Sequence, residues 1–109
     1  MRYARDGYAV ACADIVPERA QETLALLPGA GHHALRVDVG DDASVDALRA
    51  SLEHVWDSID VVVNNAGVWP AASVREMTTT DWQGSLASNL TGTFLTCREA
   101  ARCWLSSGN

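Results

Sequence analysis

The sequence contains no lysine. Its eight cationic residues are all arginines, and against 14 acidic residues they leave a net charge of −6 at pH 7. Within these 109 residues, the absence of lysine excludes an active site that depends on a lysine Schiff base, phosphate contact or proton relay. The arginines form no basic cluster, so we expect no nucleic-acid partner.

Long apolar runs and paired cysteines are also missing. No apolar run approaches the roughly 20 residues that a membrane span requires, and the first residues lack the apolar block of a secretory signal. The three cysteines, Cys12, Cys97 and Cys103, are an odd number without paired spacing, which favours reduced thiols. No histidine belongs to a Cys/His/carboxylate set with metal-ligand spacing. We therefore expect a cytoplasmic protein with no membrane contact and no metal.

The length and composition indicate one ordinary globular domain. The chain has 109 residues, of which 48% are hydrophobic and 20% are charged. Domains seldom fall far below about 100 residues, so we predict a single domain over residues 1–109. The balance of apolar and charged residues excludes a disordered or low-complexity chain.

Strand and helix patterns alternate along the chain. Short apolar runs predict strands, the first of them buried on both faces, and apolar residues at helical spacing predict helices. The predicted elements are a helical tail at 1–6, strands at 8–13, 34–39 and 60–64, and helices at 17–27, 41–55 and 80–105. Strands that alternate with helices indicate an α/β fold with a parallel sheet.

The last predicted helix has a start signal and an apolar face. Residues 80–83, Thr-Asp-Trp-Gln, have the form of a capping box in which Gln83 reaches back to Thr80. Its apolar residues recur at helical spacing, so we expect one buried face. That face comprises Leu86, Leu90, Phe94, Cys97 and Ala101.

Asn89 lies at the edge of this face, where its amide should have hydrogen-bond partners. The nearby Gly84 and Gly92 are each disfavoured by about 1 kcal/mol relative to alanine in a helix, which suggests close packing or a kink. A plain structural interpretation remains open: Asn89 merely hydrogen-bonds the neighbouring backbone.

Each predicted strand ends in a small polar or acidic residue: Asp14, Asp38 and residues 64–67, Asn-Asn-Ala-Gly. Taken singly, each could cap a helix or form a turn. The carboxyl ends of parallel strands meet at one edge of the sheet, where such folds bind ligands, so the three together favour a ligand site. The two oxygens of Asp14 suit a ribose diol, and its charge would repel a ribose phosphate, which favours NAD over NADP.

One apparent dinucleotide motif is rejected. Residues 29–34, Gly-Ala-Gly-His-His-Ala, satisfy the pattern G-x-G-x-x-A. A pyrophosphate site requires a strand before the glycines and a helix N-terminus after them. Here a predicted helix precedes the segment and a predicted strand follows it.

Together these residues resemble the short-chain dehydrogenase/reductase family. The resemblance rests on Asp14, Asp38-Val39, Asn64-Asn65-Ala66-Gly67 and Asn89-Leu90-Thr91-Gly92, and their spacing agrees over nearly the whole chain. It implies a Rossmann-like, doubly wound parallel sheet. It also implies an NAD-dependent oxidoreductase that transfers hydride between nicotinamide and an alcohol or ketone, acts on a small molecule, and is a homo-oligomer when intact.

The resemblance also implies roles for individual residues. Asp14 would hold the adenosine ribose, with Ile15 in the same cofactor site, and Asp38 and Val39 would contact adenine. Asn65, Ala66 and Gly67 would lie against the cofactor. Asn89 would be the active-site asparagine, whose helix is kinked so that a backbone carbonyl can hold a water of the proton relay.

Several family motifs are absent. The glycine-rich turn, the active-site serine and the Tyr-x-x-x-Lys pair are missing, and the only tyrosines are Tyr3 and Tyr8. We therefore expect an incomplete fold without its central first strand and its later strands. As an isolated chain it should be inactive, and it should either fold poorly or close the gap in its sheet by non-native strand pairing. Two alternatives stay open: a non-catalytic nucleotide-binding or interaction module, and an incomplete gene product.

Overall fold

The chain forms alternating helices and strands in two compact units. The structure, a computed structural model, describes residues 1–108. Asn109, the last residue of the predicted single domain, lies outside the described residues. The units are Met1–Val37 and Asp38–Asn109. A single domain over residues 1–109 stays a prediction.

The first unit contains a parallel pair of strands. Its elements are α1 (Arg2–Arg5), β1 (Ala11–Asp14), α2 (Pro17–Ala25) and β2 (His33–Arg36). Ala11 lies opposite His33, and Asp14 lies opposite Arg36. The predicted α/β class with parallel pairing is confirmed. The prediction that the first strand is buried on both faces is wrong: β1 is mostly half-buried, because β2 is its only strand neighbour within residues 1–108.

A glycine turn leads into β2. Gly29 and Gly31 have φ angles of 94° and 78°, which favour glycine. The ring of His32 fixes the turn, since Nδ1 accepts from the Val10 N–H at 3.0 Å and Nε2 therefore donates to the Pro28 carbonyl at 2.9 Å. A strand follows these glycines, so the rejection of the apparent dinucleotide motif is confirmed.

The second unit is mainly helical. Its elements are α3 (Asp42–Glu53), α4 (Thr79–Leu86), a π turn (Ala87–Thr91) and α5 (Gly92–Ser106). Asp41 caps α3, because its carboxylate accepts from the Ser44 N–H at 2.9 Å.

The helix formed by α4, the π turn and α5 begins with a different capping box from the predicted one. The Thr78 hydroxyl oxygen accepts from the Asp81 N–H at 3.1 Å, and the Asp81 carboxylate accepts from Thr78. The predicted pair of Thr80 and Gln83 is therefore wrong by two residues. Aspartate at the third helical position replaces the glutamate or glutamine of the usual pattern.

The predicted third strand at 60–64 does not form in the described part of the chain. Val61, Val62 and Val63 are 43%, 37% and 63% exposed. A strand exists only where a neighbouring strand satisfies its backbone hydrogen bonds, and the second unit supplies none. An apolar run with β-branched residues was therefore insufficient to produce a strand here.

The helix α5 packs on α3 through a face that differs from the predicted one. In the predicted face, Leu86, Leu90 and Phe94 are 38%, 66% and 59% exposed. The prediction is wrong because the helix carries a second stripe at helical spacing, and only that stripe has a helix against it. The buried residues of α5 are Gly92, Leu95, Glu99, Ala100 and Cys103.

Residues 1–108 contain neither a candidate membrane span nor a candidate metal cluster. No helix there combines the length and apolarity that crossing a bilayer requires. The same residues contain no group of three histidine, cysteine or carboxylate side chains arranged to hold a metal ion.

Candidate functional site

Asn89 lies in the π turn, and its side chain is hydrogen-bonded to one residue of the preceding loop. Its Oδ1 accepts from the Val68 N–H at 2.7 Å, and its Nδ2 donates to the Val68 carbonyl at 2.8 Å. A longer contact of 3.4 Å joins Nδ2 to the Ser85 hydroxyl. The expectation that the Asn89 amide has partners is confirmed, although the residue itself is exposed.

The same asparagine is in close contact with Gly67. A Cβ atom added at Gly67 would lie 3.1 Å from the Asn89 Oδ1, closer than most Cβ contacts. The segment of Asn65, Ala66 and Gly67 therefore approaches Asn89 on the side where glycine leaves room. The structure thus brings two of the motifs identified in the sequence together within the second unit.

The helix is irregular at Asn89. In the π turn, the Gly92 N–H donates to the Ala87 carbonyl, five residues earlier. The Asn89 carbonyl accepts from the Thr93 hydroxyl at 3.1 Å. Single π turns inside α-helices are frequent at functional sites. The resemblance implied a kinked helix at this residue, and the irregular turn lies there.

Asp38 begins a tight turn in the second unit. Its Oδ1 accepts from the Gly40 N–H at 3.0 Å, and its own N–H donates to the Ser44 hydroxyl at 2.9 Å. The carboxylate is half-buried, and its Oδ2 has no hydrogen-bond partner among residues 1–108. Such an oxygen can accept from a ligand donor such as an aromatic amino group.

Asp14 has the same local geometry in the first unit. Its Oδ1 accepts from the Val16 N–H at 2.9 Å, and its Oδ2 has no partner in the described residues. The turn function considered for Asp14 is therefore present, and it occupies one oxygen only. Ile15 is 51% exposed beside it. The free oxygen of Asp14 fits a hydroxyl donor such as that of a ribose diol.

A buried ion network joins α3 and α5 outside these motifs. Glu99 is 3% exposed, and its Oε1 lies 2.9 Å from the Arg98 Nε and 2.6 Å from an Arg102 amino nitrogen. The Arg49 Nε lies 3.0 Å from the Glu99 Oε2, an ion pair without hydrogen-bond alignment. Hydrogen bonds to Asp42 and then to Glu99 raise the pKa of Arg98. Sequence analysis missed this network, because a single glutamate in an apolar stripe carries no signal of its partners.

Cys103 lies near a small cavity beside the same helix pair. Burial raises the pKa of its thiol, and a 3.6 Å hydrogen bond to the Glu53 carboxylate acts in the same direction. The cavity, about 170 Å³, is also lined by Trp56 and Ser106 and by none of the predicted site residues. A thiol held neutral in this way is a packing group rather than a nucleophile.

Known proteins resemble this chain along almost all of its length. The sequence of residues 1–109 matches the family described as enoyl-(acyl carrier protein) reductase. A D-threitol dehydrogenase from Mycolicibacterium smegmatis is 37% identical over 108 residues, which are 97% of this chain and 42% of the relative. A sorbitol dehydrogenase from Cereibacter sphaeroides is 38% identical over 106 residues, 97% of this chain and 41% of the relative.

Solved structures show the same fold. Serine dehydrogenase from Escherichia coli matches with a TM-score of 0.82 at 26% identity, over 96% of this chain and 49% of that chain. A closed form of serine dehydrogenase complexed with NADP⁺ matches with a TM-score of 0.84 at 26% identity, over 96% and 42%. The prediction of an incomplete Rossmann-like fold is therefore confirmed.

The match covers only part of each relative. The chain spans about two fifths of the length of the curated relatives it matches. Within that length, the family match, the relatives and the solved structures agree with the family resemblance inferred from the sequence. The chain belongs to the short-chain dehydrogenase/reductase family.

Proposed function

We propose that this chain is the adenosine-binding part, together with one active-site element, of an NAD-dependent oxidoreductase that interconverts an alcohol and a ketone. The observation that carries the proposal is the pairing of the Asn89 amide with Val68, directly after the segment of Asn65, Ala66 and Gly67. It joins the two motifs that the resemblance assigns to the cofactor and to the active site.

Asp14 and Asp38 would bind the adenosine half of the coenzyme. The Val16 N–H orients the Asp14 carboxylate and leaves Oδ2 to accept from a ribose hydroxyl. A phosphate on that ribose would meet a negative charge, so we propose NAD rather than NADP. A solved structure similar to this chain is complexed with NADP⁺, so the preference is tested by comparing the Kd values of the two coenzymes.

The chemistry needs groups that this sequence does not contain. When bound, the nicotinamide accepts or donates the hydride. Asn89 would hold the loop against the π turn, whose backbone would position a water of the proton relay. The relay's tyrosine and lysine must come from outside these residues, since the chain has no lysine and its tyrosines are Tyr3 and Tyr8. Cytoplasmic location and homo-oligomeric assembly stay predictions.

A chimaeric protein tests this function. In what we name the completed enzyme, residues 1–109 replace the matching segment of the D-threitol dehydrogenase, whose remaining segments supply the rest of the fold. We expect NAD-dependent oxidation of D-threitol and tight binding of NADH measured by fluorescence. The control is the same protein with the relay tyrosine of the added segment changed to phenylalanine. A folded completed enzyme that binds no NADH would refute the proposal.

An alternative is a nucleotide-binding module that holds the coenzyme without positioning it for catalysis. It predicts that the completed enzyme binds 5′-AMP and NADH while its turnover stays at the level of the phenylalanine control. Turnover clearly above that control distinguishes the oxidoreductase from the module.

A further inference from the structure

Gly92 and Val39 form the closest packing contact of any glycine among residues 1–108. A Cβ atom added at Gly92 would lie 2.8 Å from the Val39 Cγ2, 3.1 Å from its Cβ and 3.2 Å from its carbonyl oxygen. Real Cβ atoms essentially never approach another heavy atom as closely as 2.8 Å. The first residue of α5 must therefore be glycine for Val39 to occupy its position.

The approach is reciprocal. A Cβ atom added at Gly40 would lie 3.1 Å from the backbone carbonyl group and the Cβ of Ala87, the first residue of the π turn. The turn of residues 38–40 and the helix α5 thus each supply one glycine. Together the two glycines allow the turn of residues 38–40 to pack closely against the π turn. Glycine is disfavoured in a helix, so its presence at Gly92 fits a packing requirement.

Two hydrogen bonds of Asp38 hold the turn that Gly92 supports. The Asp38 carboxylate accepts from the Gly40 N–H at 3.0 Å, and the Asp38 N–H donates to the Ser44 hydroxyl at 2.9 Å. A side chain at Gly92 would push on both the side chain and the backbone of Val39. Because the turn is tied at both ends, Asp38 would move with Val39 instead of remaining in place.

We propose that Gly92 is a positioning residue for adenine binding: it lets the turn of residues 38–40 dock so closely on the π turn that Asp38 and Val39 reach the adenine ring. This inference rests on the proposed function of that turn. Gly92 itself touches neither coenzyme nor substrate in this proposal and acts only through Val39.

The test compares two glycine-to-alanine changes in one helix of the completed enzyme. Gly92→Ala should weaken the Kd of 5′-AMP, measured by titration calorimetry, about tenfold, which corresponds to about 1.4 kcal/mol. The KM for NAD should rise by a larger factor than kcat falls, because the substitution acts mainly on coenzyme affinity. Gly84→Ala is the matched control, since nothing lies within 4 Å of a Cβ at that position.

A second variant separates positioning from loss of folding. In Val39→Ala/Gly92→Ala, the atom at 2.8 Å is removed, so the double variant should unfold at a higher temperature than Gly92→Ala. The inference is overturned if Gly92→Ala binds 5′-AMP as the control does, or if Gly92→Ala is unstable and the double variant is no more stable. If the completed enzyme without substitutions does not bind NADH, the proposed function is refuted instead.

Discussion

The side-chain amide of Asn89 and the peptide groups of Val68 form a closed pair of hydrogen bonds, 2.7 Å and 2.8 Å long. Both polar atoms of the amide are thereby hydrogen-bonded to the backbone of Val68, the residue that follows Gly67. In the function proposed above, Asn89 would therefore act by holding this loop and through its own backbone in the π turn.

Replacing Asn89 by alanine in the completed enzyme should lower kcat/KM by about tenfold or more. Two hydrogen bonds are lost, each contributing about 1 kcal/mol, and the Val68 peptide groups lose their partner. Steady-state kinetics with NAD measures the change. Ser85→Ala is the matched control, because it removes only the 3.4 Å contact to the same amide. An Asn89→Ala enzyme with normal kcat/KM would show that the loop needs no such support.

Replacing Asp14 by alanine should weaken NAD binding and relax discrimination against NADP. The loss of a charged acceptor for the ribose should raise the Kd of NAD about tenfold. Removal of the charge should at the same time bring the Kd of NADP closer to that of NAD. Titration of the completed enzyme with both coenzymes measures the ratio. Glu18→Ala removes an equal charge from the first turn of α2 and serves as the control. An unchanged ratio in Asp14→Ala would exclude the ribose role.

The sequence was sufficient for those elements whose stabilising contacts are local. The proline at the start of α2 and the aspartate that caps α3 are visible as residue types at fixed positions. The parallel pairing of β1 and β2 also followed from the alternation of strands with helices. The expectation that the Asn89 amide has hydrogen-bond partners also followed from its place in the sequence, whereas its active-site role stays a prediction.

Features that depend on distant partners could not be predicted. The run of valines at 60–64 has strand propensity, yet no neighbouring strand pairs with it within residues 1–108. Helix α5 has two stripes, and periodicity alone cannot tell which of them meets α3. The hydrogen bonds of Asn89 to Val68 also left no sequence signal, because the partner is backbone, which every residue possesses.

The isolated 109-residue chain should unfold without cooperativity. Its sheet has two strands within the described residues, and no large side chain there is less than 2% exposed. Two strands alone are marginally stable in water, and the missing central strand of the family would leave backbone groups unpaired. Thermal unfolding followed by circular dichroism and a two-dimensional amide spectrum test this. The completed enzyme is the comparison and should show a sharp transition. Cooperative unfolding of the monomeric chain, with dispersed amide resonances, would contradict the prediction.

Replacing Glu99 by alanine should destabilise the completed enzyme by about 3 kcal/mol, because it leaves three arginines around a buried position without their shared anion. Denaturant unfolding measures the loss. The exposed pair of Arg2 and Asp6, 2.7 Å apart, is the control: Asp6→Ala should cost less than about 1 kcal/mol. Equal effects of the two substitutions would mean that the interior network contributes no more than a surface ion pair.

Alkaline pH should destabilise the completed enzyme in part through Cys103. Burial and the Glu53 carboxylate raise the pKa of its thiol above the unfolded value of about 8.5. Between these two pKa values the folded protein binds more protons than the unfolded chain, so the free energy of unfolding falls as pH rises. The contribution is fully present below about pH 8 and disappears as pH rises through the folded pKa.

Cys103→Ala should therefore flatten the decline of the free energy of unfolding with pH, whatever its effect at neutral pH. Denaturant titrations at several pH values from about 7 to 10 give the slope, and the slope excludes the packing loss because that loss is independent of pH. Burial also raises the pKa of the Cys12 thiol. A smaller decline of the free energy of unfolding with pH should therefore remain in Cys103→Ala. The matched control is Cys97→Ala, since Cys97 is exposed and lies in the same helix. If Cys97→Ala flattens the decline and Cys103→Ala does not, the thiol of Cys103 is not held neutral by its surroundings.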